Sequence, residues 1–238
     1  MGAFNGAYTG QRTHKAERDR GIGLAELLVA MMVTLIAAAI VMGIFVSSTK
    51  SVATGAAAHA DTGTASTLMN ELSRVIRSGV KNQLSGVEKP PLIVAKPTSL
   101  TMYSLVDMDA VGVMRPVKVE LSLNAAGALV EKRFKATLSA DGSWTFPASS
   151  VVLLDRTLPG TILPRSASNP FDLFSYIKAD GTEVTAPTAG LTDTQMADIV
   201  AVKVSLAVRA DTKSSATPAK LSNKIGMPNV GTDRTDLP

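Results

Sequence analysis

The sequence contains no cysteine, which excludes a disulfide framework, a thiolate metal site and a cysteine nucleophile. It has only two histidines. His14 lies in a polar N-terminal stretch and His59 in an Ala/Thr-rich segment, so everything after them lacks imidazole acid–base chemistry and soft-metal ligands. No G-x-S-x-G nucleophile motif is present either. Asp107 and Asp109 form the one close acidic pair in the early strands and read as a solvated loop pair. Without the glycine and bidentate glutamate of a calcium loop, they are not expected to hold calcium. No catalytic residue, metal or cofactor is expected, and the chain is not read as an enzyme.

Aromatic residues make up only 4% of the chain. Lys and Arg are scattered singly, with no basic run and no interleaved aromatics, so the net charge of +4 and the pI near 9.4 do not form a nucleic-acid footprint. Trp144 and the group Phe171, Phe174 and Tyr176 are expected in the core rather than at an interface.

Hydrophobicity is what the chain does have, and it is unevenly spread. Residues 22–46 read IGLAELLVAMMVTLIAAAIVMGIFV, with Glu26 the single charged member. At about 1.5 Å per residue such a helix is roughly 37 Å long, enough for a bilayer core of about 30 Å. The preceding residues hold Arg12, Lys15, Arg18 and Arg20 against Glu17 and Asp19, a positive excess that keeps the N-terminus cytoplasmic and sends the rest across. A conventional signal peptide has a shorter apolar region followed by its cleavage site. Here the run is too long, although Ala37-Ala38-Ala39 mimics such a site.

An acid in a membrane span costs on the order of 2.5–3.5 kcal/mol at the helix centre. Glu26 therefore needs a partner or a special position. The plain account is that it lies in the first turn, where the helix dipole favours an anion by about 0.3–1 kcal/mol.

The stretch Gly21-Ile22-Gly23-Leu24-Ala25-Glu26-Leu27-Leu28-Val29-Ala30 resembles the N-terminal motif of type IV prepilins and pseudopilins. The resemblance implies that a prepilin peptidase cuts between Gly21 and Ile22, that the new amino group of Ile22 is methylated, and that Glu26 is the acid of assembly. In that family the glutamate neutralises a neighbouring subunit's α-amino group as apolar helices stack in a filament. Ile22 stands where phenylalanine or methionine is usual, and Gly23 and Ala25 where threonine and isoleucine are common. Gly43 interrupts the run near its far end and reads either as a point where the helix melts on assembly or as a site of close helix packing.

Beyond Val46 the chain is rich in Ala, Ser, Thr and Gly. Leu68, Leu72, Val75, Ile76 and Val80 then recur at helical spacing with Glu71, Arg74, Arg77 and Lys81 between them, the pattern of an amphipathic helix docked on a sheet. Gly79 and the Gly86 to Pro91 stretch mark its end. After Pro97 the period changes to two. Leu100 to Val106, Val117 to Leu123, Ala128 to Phe134, Thr145 to Leu154, Asp172 to Lys178 and Ile199 to Val208 read as strands, with a weaker one from Leu221 to Val230. Turns are expected at Asn124 to Gly127, Asp141-Gly142 and Asp180-Gly181.

The fold class is therefore α+β: a long N-terminal helix, membrane-spanning in its first half and amphipathic in its second, packed on an antiparallel β-sheet domain of pilin-like type. The expected division is a cleaved cytoplasmic leader at 1–21, a transmembrane or filament-core helix at 22–46, a stalk helix at 47–85, an extracytoplasmic β domain at 86–230 and a tail at 231–238. The order of strand-like stretches is similar to larger minor pilins of the J or W type. The resemblance implies a structural, minor subunit of a type IV pilus or type II secretion pseudopilus. Its expected partners are the prepilin peptidase, other pilin or pseudopilin subunits, the inner-membrane assembly platform and the membrane itself, but not nucleic acid. It would first sit in the inner membrane with the C-terminal domain outside, then in the filament. The alternative is a signal-anchored extracytoplasmic binding domain that enters no filament and in which Glu26 is incidental.

Overall fold

A computed structural model describes residues 23–84, 87–106, 115–167, 169–211 and 217–230. The chain divides into two compact units, residues 1–50 and 51–238. A 54-residue helix, α1 (Leu24–Arg77), contributes to both. Its composition favours it towards both ends, where Leu, Met and Ala are frequent, Glu26 lies in the first turn, and Arg74 and Arg77 lie in the last, each charge matched to the nearer end of the dipole. Thr34, Thr49, Thr62 and Thr67 donate their hydroxyls to carbonyls four residues back, so these polar groups are satisfied within the helix.

In the second unit, one face of α1 is buried. Asp61, Ala65, Leu68, Met69, Leu72, Val75 and Ile76 lie on it, at the alternating four- and three-residue steps that keep side chains on one stripe. The helix stops at Arg77. Ser78 Oγ bonds back to the Arg74 carbonyl, and Gly79 packs so tightly that a Cβ there would lie 2.6 Å from Met102 Cε. The chain then continues into β1 (Asn82–Leu84), which pairs antiparallel with β2 (Val87–Lys89).

The helix packs against an antiparallel sheet built from β3 (Leu92–Ala95), β4 (Ser99–Ser104), β5 (Val117–Leu123), β6 (Leu129–Lys135) and, after the small pair β7 (Thr137–Leu138) and β8 (Trp144–Thr145), β9 (Val152–Thr157). Its order is β3-β4-β5-β6-β9. The β5–β6 hairpin turns at Asn124, whose side chain accepts from the Ala126 and Ala128 amides, and at Gly127, whose φ is 77°. Alternation on the inner face is strict: Leu100 and Met102, then Val117, Val119 and Leu121, then Leu129 are buried.

A second antiparallel sheet has β13 (Ile199–Arg209) at its centre. On one side it pairs with β10 (Thr161–Ile162) and β11 (Phe174–Lys178), β11 being followed by β12 (Glu183–Val184), and on the other with β14 (Ala219–Gly226). A short helix, α2 (Asp193–Ala197), precedes β13, and a 3₁₀ turn at Pro228–Val230 follows β14. The two sheets are stitched together where the second meets the β3–β4 turn: Phe174 N donates to Pro97 O, Leu191 N to Ala95 O, and Tyr176 Oη to Lys96 O at 2.9 Å. Burial pushes the Tyr176 phenol far above its ordinary range.

The α+β expectation is met: one long apolar N-terminal helix packs against antiparallel sheets. Leu68, Leu72, Val75, Ile76 and Val80 are all buried. Phe174 and Tyr176 are core, whereas Phe171 is 53% exposed and Trp144 is half-buried beneath the Arg115 guanidinium. The stretch expected as one strand from Thr145 to Leu154 is interrupted, because Pro147 removes a ladder donor and the Ser150 amide turns back to its carbonyl.

The β9–β10 turn seats Gly160 at φ 86°, where an added Cβ would lie 2.5 Å from Thr64 Cγ2 on the helix. Gly160→Ala is expected to destabilise the domain by about 1–3 kcal/mol, since alanine meets both the left-handed backbone penalty and this contact. Equilibrium urea unfolding of the purified protein measures it.

Candidate functional site: the acidic helix start and the ionic helix dock

The first unit presents an apolar helical surface. Leu24 to Val46 are all solvent-exposed, and an 18-residue window of the helix is apolar enough to cross a membrane, with none of it buried within the protein. Leu, Ile, Val, Met and Phe lie on every side of this stretch.

Glu26 is the exception in that surface. Gly23 begins the helix, its carbonyl accepting from the Leu27 amide at 3.1 Å. Three residues on, the Glu26 carboxylate reaches back and accepts from the Gly23 amide at 3.2 Å. This is the return half of a capping box, in which an acid at the third helical position satisfies an otherwise unpaired N–H. Gly21 and Ile22 lie outside the described residues, as do Asp107 and Asp109. The helix runs through Gly43 without a break, and nothing beyond the adjoining helix backbone stands within 4 Å of where its Cβ would be.

A second charged arrangement, which hydropathy and spacing do not single out, lies in the other unit. Along β6 the inward positions after Leu129 are Glu131 and Arg133, both buried, where the alternating pattern of β4 and β5 supplies apolar residues. They meet Glu71 of α1 and Arg156 of β9. Arg133 Nε donates to Glu131 Oε1 at 2.7 Å, and its Nη2 reaches Glu71 Oε1 at 3.1 Å. Arg156 donates through Nε and Nη2 to Glu131 Oε2 at 3.0 and 2.7 Å, and through Nη2 to Glu71 as well. Arg74 chelates Glu71 from one helical turn away, at 2.6 and 3.3 Å. The helix is thereby fixed to two strands by charge-assisted bonds whose geometry specifies its rotation.

These bonds from Arg74, followed by the neighbouring arginine charges, hold the Glu71 carboxyl below its ordinary range despite partial desolvation. The two carboxylates are fully occupied by guanidinium groups, so the cluster is an ion lock rather than an acid–base pair with a free proton acceptor. Among the described residues, no group of three or more His, Asp or Glu stands together as metal ligands.

The sequence signals that could have led here are the two charged residues at inward positions of an otherwise apolar strand face. At α2 the missed signal is Thr192-x-x-Gln195, a capping box in which Gln195 Oε1 accepts from the Thr192 amide at 2.9 Å. No protein-family model, curated protein or solved structure matches this chain.

Glu131→Ala leaves Arg133 buried without its main partner, and should cost about 3–5 kcal/mol in urea unfolding. The depressed Glu71 carboxyl contributes stability that is fully present above its unfolded value of 4.5 and is lost as pH falls through the lower folded value. Glu71→Gln should therefore flatten the fall in stability on acidification below about pH 4.5, read from unfolding midpoints measured between neutral and acid pH.

Proposed function

We propose that the chain is a structural subunit of a type IV pilus-like or type II secretion pseudopilus filament, cut by a prepilin peptidase after Gly21 and assembling through its apolar helix. The single observation that carries this reading is an unburied apolar helix whose first turn holds a lone carboxylate, Glu26, immediately after a basic stretch ending in glycine.

In this reading, lipid covers the helix before assembly and neighbouring helices cover it afterwards, and the β domain faces the extracytoplasmic side. Glu26 is expensive in either apolar setting unless paired. A cut after Gly21 creates a cationic amine at Ile22, and the amine of a neighbouring subunit is the counter-charge that makes Glu26 an assembly residue. The bond from the Gly23 amide supports the same view at the level of one chain. It holds the Glu26 carboxylate at the helix start. In the same reading the β domain serves as a scaffold, in a minor subunit of the filament.

The intact mass of the membrane-extracted protein tests the reading. A chain beginning at Ile22, with or without one added methyl group, is expected. A chain beginning after Ala39, or retaining Met1, would overturn it in favour of a signal-anchored domain. In the assembled state, Glu26→Ala should leave cleavage and membrane insertion intact while lowering incorporation at least tenfold, measured by immunoblotting of sheared filament fractions.

A further inference from the structure

The edges of the sheets are finished differently. On the β3 side of the five-stranded sheet, the segment leading into α2 covers the rim, with Leu191 N donating to Ala95 O at 2.9 Å. At the edge of the second sheet, β14 places Lys220 and Lys224 at exposed positions, a common device against strand addition. The β9 edge has neither device over its first half. Among the described residues, its only strand partner is β6.

That edge is also apolar. Val151, Val152 and Leu153 are 62, 49 and 47% exposed, and Leu138 nearby is 58% exposed. Three consecutive exposed apolar residues do not follow from a regular strand, whose side chains alternate. They follow here from a bulge: Arg133 pairs with Leu154 and Phe134 with Val152, so Leu153 is an extra residue, and the bulge turns it out of the ladder. Leu138, Pro147 and Val151 line an open hollow beside it, with Lys135 at its margin.

The far end of the same edge carries a fixed cation. Arg156 is 39% exposed, and the bonds that hold it to Glu131 and Glu71 use only Nε and Nη2. Its Nη1 makes no hydrogen bond among the described residues. A guanidinium immobilised by two internal carboxylates and still open on one nitrogen is pre-organised for a third, external carboxylate. Asp155, on the opposite face of the strand, is already neutralised by Lys132 at 3.1 Å.

We propose that the β9 edge receives an extended segment of a neighbouring filament subunit. That segment pairs along Leu154 to Thr157, seats apolar side chains on Val151, Val152, Leu153 and Leu138, and places a carboxylate on Arg156. The contact rests on the filament reading above, which supplies the neighbour. Main-chain pairing gives such an edge its affinity, and the apolar seat and the guanidinium give it selectivity.

The absence of cysteine makes the test direct, because V152C and L153C each introduce the sole thiol of the full-length chain. In assembled material both variants should react with a water-soluble maleimide at least tenfold more slowly than in detergent-extracted chain. A photo-reactive group carried on either thiol should link to an acidic, apolar peptide of another filament subunit, identified by mass spectrometry. V152K and L153K should be cleaved after Gly21 and unfold at the wild-type urea midpoint, yet enter the filament at least tenfold less well. Equal maleimide rates in the two states, normal incorporation of the lysine variants, or cross-links confined to lipid would each overturn the contact while leaving the filament reading intact. A chain that is neither cleaved after Gly21 nor assembled overturns the filament reading, and the neighbour this contact requires falls with it.

Discussion

The docking of the second half of α1 on the five-stranded sheet is the interaction on which the β domain depends. It has an apolar part and an ionic part lying side by side. Leu68, Leu72, Val75 and Ile76 fill the inner face of β4 and β5, and Glu71 then meets Arg133 and Arg156 where β6 and β9 continue that face. Apolar burial supplies most of the stabilisation, because each such side chain is worth roughly 1.5–3 kcal/mol when fully buried. Hydrophobic contact is indifferent to small rotations of a helix, whereas chelated carboxylates are not. The charged half therefore selects one rotation and one register from the several that the apolar half would tolerate.

The same helix carries two kinds of surface. Backbone hydrogen bonds are satisfied internally along its whole length, so the ladder does not distinguish residues 24–46 from residues 61–77. The side chains do. In the first stretch, apolar residues surround the axis and none is buried within the protein. In the last stretch they are confined to one stripe that the sheets cover. Between them lies a weakly apolar segment of Ala, Ser, Thr and Gly, with helix-forming tendencies too modest to hold it alone. Its continuity is inherited from its neighbours.

Much of this was legible beforehand. Period-two alternation located β4 and β5, and helical spacing located the buried stripe from Leu68 to Ile76, because in both cases burial on one face imposes the period; turn residues marked out β6 and β11, and β13 was read as a long strand near the C-terminus. The short strands β1, β2, β3, β7, β8, β10 and β12 were not legible. Each has two to four residues, too few for a period; β3, β10 and β12 lie along longer neighbours, whereas β1 and β2, and β7 and β8, pair only with each other. The ion lock was hidden for a different reason. Glu71, Glu131, Arg133 and Arg156 come from three elements separated by 62 and 85 positions, and no local pattern records such a meeting. At the helix start, the reverse holds: Glu26 stands out in sequence, and the geometry adds only the Gly23 amide as its near partner.

Asp61 accepts the Ala210 amide at 2.6 Å, joining the helix to the end of β13 across 149 positions. Contacts of such span are slow to form, since closing a long loop must precede any return from it. During synthesis the helix appears early and the strand end that receives Asp61 appears late. The apolar stripe can meet β4 and β5 early, but the Asp61 bond waits until β13 is complete. A nascent chain is consequently still incompletely docked before β13 is complete, and truncation near the C-terminus should be read as a folding lesion first.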